Sequence, residues 1–337
     1  MRLRNPLVLS LLSLAAGPTT PVQAQEQEQG FRTDVTTYDL IILQGTPGSI
    51  SAAVAAAKQN KTSLILERTD HVGGLVTNGL GATDVATPAL AGGFFKDFAN
   101  RVRRYYVERY GEGSNQTRTC QGGLHFETQA AEAVLGDMLG EVGEWVTVLT
   151  GRQFDFSPEN LTLSAGGEVI EAISVTNLLN GTSETYRGRF FIDASYEGDL
   201  IAAAGVPFLL GRESNTTYGE PGAGKTYKLW QGGECPGTTH QGDNKIQSYN
   251  YRLCLTSNAS ISTPFTMQPN SYNRSEFASL VSDVKSGLNN VASSQLTPEQ
   301  LQSNIDRANA NERPIPDIMP GIRRLTNNVA VPNGKVD

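Results

Sequence analysis

Apolar residues along this chain follow two periods, and the sharpest change between them falls at residues 38–74. Leu40-Ile41-Ile42-Leu43, entered from Tyr38-Asp39, is a short unbroken apolar run of the kind a buried strand carries. The turn Gln44-Gly45-Thr46-Pro47-Gly48-Ser49 follows, and then an Ala-rich helical stretch over residues 50–57. A second run, Ser63-Leu64-Ile65-Leu66, ends on Glu67, with Gly73-Gly74 soon after. Residues 92–110 place Phe94, Phe95, Phe98, Val102 and Tyr105 on one side of a helix, and residues 128–142 predict a second amphipathic helix. Residues 145–149 read as a short buried strand. Three β-like runs over 161–191, divided by Gly166-Gly167 and Asn180-Gly181, predict a β-meander. It leads into Phe190-Phe191-Ile192-Asp193-Ala194, a strand returning to the sheet. Beyond Gly205, Gly, Thr, Asn and Ser dominate, with helical spacing again at 274–286 and 297–310.

Strand, glycine turn, helix, strand, acid is the order of a dinucleotide-binding unit. Its turn, here Gly45, Thr46, Pro47, Gly48 and Ser49, wraps a pyrophosphate. The helix N-terminus supplies unpaired N–H groups and positive partial charge. Glu67 is placed to accept hydrogen bonds from ribose hydroxyls. In the G-x-G-x-x-G frame, however, Gln44, Thr46 and Ser49 stand in the glycine places, and the glycines fall between them. A non-glycine residue at positive φ costs about 1–2 kcal/mol, so this turn is expected to adjust its dihedrals or hold strain. Taken alone, the turn is equally compatible with a βαβ crossover that binds nothing. A second phosphate motif, G-x-x-x-x-G-K-[ST], is matched by residues 219–226. That motif needs a buried strand before it and a helix after it. Polar residues 213–217 precede it, and Gly232-Gly233 breaks the segment on its C-terminal side, so it reads as a loop at the edge of a substrate region.

Residues 38–50 resemble the opening of the FAD-dependent oxidoreductase family of glutathione-reductase-like flavoproteins, some members of which are labelled xanthan lyase. Residues 71–84 resemble that family's loop after the second strand, and Ile192-Asp193-Ala194-Ser195-Tyr196-Glu197-Gly198-Asp199-Leu200 its return to the flavin domain. Gly211-Arg212-Glu213 and Tyr218-Gly219-Glu220 resemble the start of its substrate region. The resemblance runs from about residue 38 to the C-terminus. It implies an α/β architecture: a Rossmann-like FAD-binding domain over 38–205 with an inserted β-meander, and a partial, loop-rich α+β substrate domain over 206–337. It implies FAD rather than NAD, on the Gly73-Gly74 loop and the Asp193 return. Gly73 and Gly74 would give close backbone approach, and the strand backbone at Val148 would lie beside the adenine. Asp193 would face the cofactor from its strand end or cap a helix from Tyr196 onward. Arg212, Glu213 and Tyr218 would face substrate or pair on the surface. Because the matching family segment continues past residue 337, the chain is expected to hold the adenine, ribose and pyrophosphate half of the site. The alternatives are an inactive secreted binding protein of flavin fold or, with less behind it, a polysaccharide lyase. No catalytic base stands out.

Composition narrows the class. Hydrophobic residues make up 38% and charged residues 18%, enough for a core, and the net charge of −7 argues against nucleic acid or anionic membrane as partner. A small-molecule or carbohydrate-type substrate is expected, its identity unspecified. Arg2 and Arg4, the short apolar stretch 7–16 and Val22-Gln23-Ala24 form a secretory signal over 1–24, followed by a polar linker over 25–37. With seven N-x-[ST] sequons, at Asn60, Asn115, Asn160, Asn180, Asn215, Asn258 and Asn273, the expectation is a secreted glycoprotein. Of three cysteines, Cys235 with Cys254 is the expected disulfide and Cys120 with either the alternative. His71, His125 and His240 lack metal-ligand spacing, and no metal is expected.

Overall fold

A computed structural model describes residues 37–226 except Ala86, and then 234, 237–246, 252–256, 258–263, 267–278 and 329–336. The leader, the linker up to residue 36, the helical pattern at 297–310, most of that at 274–286, and Cys235 lie outside the described residues, and with Cys235 the expected Cys235–Cys254 bridge.

The first strand, β1 (Thr37–Leu43), begins at the last residue of the expected linker. It pairs in parallel with β2 (Ser63–Leu66) on one side and with β7 (Thr182–Asp193) on the other. Beyond β2 lies β3 (Val146–Leu149), also parallel. All four residues of β2 are buried, as an interior parallel strand requires. The meander supplies β4 (Arg152–Gln153), β5 (Leu161–Leu163) and β6 (Ile170–Asn177), which complete a seven-stranded sheet of order β3-β2-β1-β7-β6-β4 with β5 beside β6. Twelve residues long, β7 does two jobs. Its first half pairs antiparallel with β6, and its second half runs parallel to β1. The meander and the parallel layer are thereby one sheet.

Alternation on β1 divides the core. Ile41 and Leu43 pack with Leu64, Leu66, Phe154 and Ile173 on the meander side. Ile42 packs with Ile65 and with Ala53 of α1 (Pro47–Ala57) on the other. The alanines of α1 let the helix axis come close to the sheet. Fully buried, an Ile or Leu is worth about 1.5–3 kcal/mol, so these few positions dominate the layer's stability. Outside α1 lie α2 (Gly93–Tyr110) and α4 (Thr128–Gly140), joined through the short α3 (Asn115–Thr119). The buried stripe of α2 is Phe98, Val102 and Tyr106. Tyr105, the expected member, packs at the edge of the cluster around this stripe, partly buried, with the Arg109 guanidinium 4.0 Å above its ring. Tyr106 is the buried ring because its hydroxyl finds a partner: the Glu127 N–H donates to it at 2.9 Å. Burial pushes that phenol's pKa well up.

Cys120 is a buried free thiol whose Sγ–H donates to the Thr117 carbonyl at 3.2 Å, so neither alternative bridge through Cys120 forms. After β7 come α5 (Asp199–Ala203) and α6 (Asn215–Tyr218). A small antiparallel sheet then joins β8 (Leu255–Thr256), β10 (Lys335–Val336) and β9 (Ala330–Val331). Asn333 and Gly334, at φ 63° and 69°, turn β9 into β10 as an Asn-Gly pair does in a tight hairpin. The hairpin docks on the helical layer through Glu127, with further bonds of Gln116 and Tyr110 with Asn333 and of His125 with the Ala330 carbonyl. Glu127 accepts from Asn333 Nδ2 at 2.6 Å and from Lys335 Nζ at 2.5 Å.

Its hydrogen bond to Glu127 raises the Lys335 pKa above the usual lysine range. A raised folded-state pKa means stability that is fully present below the unfolded value and lost as pH climbs through the folded one. Lys335→Met is expected to lower the unfolding free energy by about 2 kcal/mol near pH 8, since it leaves a mostly buried carboxylate without its cation. The gap from wild type should close as pH rises beyond about 10.5. Denaturant titrations at the two pH values measure both effects.

Candidate functional site

The chain order reverses across β1, since β2 and β3 lie to one side of it and β7 to the other. Open α/β sheets bind ligands at the carboxyl ends of the strands flanking such a reversal. Here those ends are Leu43-Gln44 and Asp193-Ala194, and the N-terminus of α1 points into the crevice between them.

Gln44 takes the strain of the turn, at φ 62°. It occupies the first glycine place of the fingerprint and is the one of the three whose backbone is left-handed. Thr46 is extended, at φ −73° and ψ 169°, and Ser49 is helical and fully buried, its Oγ–H donating to the Thr46 carbonyl at 2.6 Å. Pro47 is the first helical residue, where the missing N–H costs nothing. No acidic side chain occupies the first turn of α1 and no side chain caps it. Among the described residues, no acceptor takes the N–H groups of Thr46, Gly48 or Ser49. Three converging unpaired donors at a helix N-terminus fit a pyrophosphate. Gly48 is exposed, and a Cβ there would meet just one atom, Thr46 Oγ1, at 3.5 Å. Packing among the described residues does not require glycine at this position.

Glu67 lies beneath the turn. One carboxylate oxygen accepts from Gly45 N at 2.5 Å, and the other from Thr69 N at 2.7 Å and Thr69 Oγ1 at 2.8 Å. Three of about four acceptor sites are thus used, and ribose hydroxyls are left the remaining capacity beside Gly45. Gly73 and Gly74 close the turn from the other side. Gly73 N donates to Gly45 O at 2.6 Å. Both glycines hold positive φ, and a Cβ on the first would collide with Thr77 Cγ2 and on the second with Tyr196 Oη.

The segment after β7 crosses the crevice and is tied down residue by residue. Thr46 Oγ1 donates to Ala194 O at 2.9 Å, and Tyr196 Oη accepts from Leu75 N at 2.9 Å. Glu197 receives Gln44 Nε2 at 2.9 Å and Arg68 Nη2 at 3.1 Å. No individual role is expected of Gln44, Arg68, Tyr196 or Glu197 from the sequence; the signals are Gln44, a long polar side chain standing where glycine is expected, and the 192–200 segment that holds Tyr196 and Glu197.

Two expected contact residues, Asp193 and Val148, have side chains engaged within the fold. Asp193 gives its carboxylate to its own chain, accepting from Ser195 N and Oγ with one oxygen and from Leu200 N and Ile201 N with the other. This caps α5, which starts at Asp199, so the helix is capped later than Tyr196 and no acceptor site is left for a cofactor. The Val148 side chain packs into the cluster of Ile42, Ala53 and Ile65. What it can offer a ligand is backbone. Arg212 is committed to Asp243, donating from Nε at 2.8 Å, and the guanidinium holds the Asp243 carboxyl at about 2. Glu213 and Tyr218 are exposed. The 219–226 motif comes after the helix α6 rather than a strand, and Lys225 N donates to Gln241 O at 2.8 Å. Its architecture is not that of a phosphate loop. Among the described residues, no group of three or more His, Cys, Asp or Glu is placed to hold a metal, and no helix is long and apolar enough to cross a membrane.

A family model described as FAD dependent oxidoreductase matches residues 39–324. No curated protein matches the chain. Among solved structures, the myxobacterial chondrochloren halogenase CndH is 18% identical over 47% of this chain and 37% of its own, with a TM-score of 0.33. A glycerol-3-phosphate dehydrogenase from Bacillus halodurans complexed with FAD is 10% identical over 50% and 36%, with a TM-score of 0.33. The 3-ketosteroid-delta4-(5alpha)-dehydrogenase from Rhodococcus jostii RHA1 is 13% identical over 47% and 46%, with a TM-score of 0.29. This chain thus covers less than half the length of each of the three.

The two glycines of the turn should separate in a stability measurement. A Cβ at Gly45 would sit 2.5 Å from Val72 Cγ1 and 3.1 Å from Glu67 Oε2. Gly45→Ala is therefore expected to cost about 1–3 kcal/mol. Gly48→Ala should leave stability unchanged or raise it by up to about 1 kcal/mol, because alanine suits a helix better than glycine. Urea denaturation of the two variants checks the contrast.

Proposed function

Because the chain belongs to the FAD dependent oxidoreductase family, we propose that it is a secreted FAD-dependent oxidoreductase acting on a small molecule, with the dinucleotide seated on the turn of residues 45–49. FAD, when bound, supplies the two-electron redox chemistry. The chain supplies position and environment. The N–H groups of Thr46, Gly48 and Ser49 would hold the pyrophosphate, and Glu67 would receive a ribose hydroxyl while bracing Gly45. Tyr196 accepts the Leu75 N–H through its hydroxyl oxygen, which leaves its own O–H to donate toward the crevice. Arg68 neutralises Glu197 and so keeps a negative charge at the crevice from opposing an anionic ligand. The observation that carries this reading is Gly48: an exposed glycine with open space above it and an unpaired N–H, which the packing does not explain and backbone approach by a ligand does.

Flavin fluorescence titration tests the reading. FAD is expected to bind more tightly than NAD, and Gly48→Ala to weaken FAD about tenfold, or about 1.4 kcal/mol, with the melting temperature held. Tighter NAD binding, or equal FAD affinity in the variant, would contradict it.

Secretion rests on the basic, apolar and small-residue order of the leader and on the sequons. The side chains of Asn60, Asn115, Asn180, Asn258 and Asn273 are exposed on the described surface, where a glycan is accommodated without unfolding. Asn160 and Asn215 are half-buried. Protein recovered from the medium of a eukaryotic host is expected to begin at Gln25 and to shift in mass on deglycosylation. An unglycosylated intracellular product retaining Met1 would contradict this.

A further inference from the structure

Beside the turn lies a cavity of about 280 Å³ between α1, α2 and α4. Six of its side chains are apolar: Pro47, Val76, Leu135 and the three phenylalanines Phe94, Phe95 and Phe98. Its polar side chains are two hydroxyls, Ser51 and Thr83, and it has no charged lining residue. Pro47 and Gly48 form one wall, so the cavity adjoins the backbone assigned to the pyrophosphate. The wall opposite is rigid. Phe98 is 5% exposed and packs edge to face on Phe126, with ring centroids 5.5 Å apart.

We propose that this cavity is the substrate site and that it selects a neutral, largely apolar molecule of one or two rings carrying a single polar group. The inference rests on the cofactor reading for its meaning, since it places the substrate next to the flavin nucleotide. Size sets the first limit. Apolar cavities of about 150 Å³ take a benzene ring, and sites for larger ligands begin at about 300 Å³. Polarity sets the second. A sugar carries a hydroxyl on nearly every carbon, and each one buried without a partner loses its hydrogen bonds to water. Thr83 Oγ1 already donates to Leu124 O at 3.1 Å. The Ser51 hydroxyl makes no hydrogen bond among the described residues, and it is the donor available to orient one ligand oxygen. A carbohydrate is therefore excluded by the lining, whereas an aromatic or alicyclic ring meets phenylalanine edges and faces on most of its surface.

Binding of 2-naphthol, followed by its fluorescence, tests this on the full chain with and without FAD, with glucose as the polar comparison. Saturable naphthol binding is expected in both forms, with none for glucose. Val76→Phe, which fills the cavity, should weaken it at least tenfold. Ser51→Ala, which the helix tolerates, should weaken it several-fold with an unchanged melting temperature. Absence of saturable binding, indifference to both variants, equal binding of glucose, or expulsion of naphthol by FAD would overturn the proposal; the last would assign the cavity to the cofactor. A protein that takes no FAD yet binds naphthol with these variant effects would refute the cofactor reading and leave the selectivity of the cavity standing.

Discussion

The buried carboxylate of Glu67 is the fixed point on which the crevice is built. At 7% exposure it costs free energy unless its oxygens are satisfied, and three donors from two segments satisfy them. Gly45 N comes from the turn after β1, and Thr69 N and Oγ1 from the chain after β2. Once those bonds form, Gly45 has one position, and its carbonyl receives Gly73 N. The turn, the end of β2 and the Gly73-Gly74 loop are then a single rigid body. The unpaired donors at the start of α1 are aimed by that body, together with the hydroxyl bonds of Thr46 to Ala194 O and of Ser49 to Thr46 O.

Against this body the return from β7 is laid as a strap. Its bonds run from Thr46, Gln44, Arg68 and Leu75 to residues 194–197, so the two halves of the crevice meet through side chains as well as through sheet pairing. Asp193 stiffens the same strap from within by capping α5. The strain stored at Gln44 has a reason in this arrangement. Left-handed backbone costs about 1–2 kcal/mol, and the side chain that incurs it reaches across the crevice to Glu197.

In the parallel layer, Leu40–Leu43 and Leu64–Leu66 were legible as unbroken apolar runs, and the meander was legible from its turn residues, as at Gly166-Gly167 and Asn180-Gly181. Details that depend on a partner distant in sequence were not. Tyr106 is fully buried while Tyr105 stays at the core's edge, because Glu127 offers a partner to the Tyr106 hydroxyl. The return itself was legible at residues 192–200, but its bonds were not, because Glu197 meets Arg68 and Gln44 across more than a hundred residues of chain. Asp193 could be placed at the strand end, but the choice between cofactor and helix cap turned on where α5 begins. Within the turn, the glycine spacing marks the positions and the packing separates their roles: Gly45 is required by Val72 and Glu67, and Gly48 by nothing in the fold.

The central claim is that the N-terminus of α1 is the phosphate site of this chain. Amide chemical shifts in isotope-labelled protein test it most directly when FAD is added. The largest changes are expected at Thr46, Gly48 and Ser49, with smaller ones at Gly73 and Leu75. Changes centred instead on residues 219–226, with the 45–49 amides unmoved, would contradict the account.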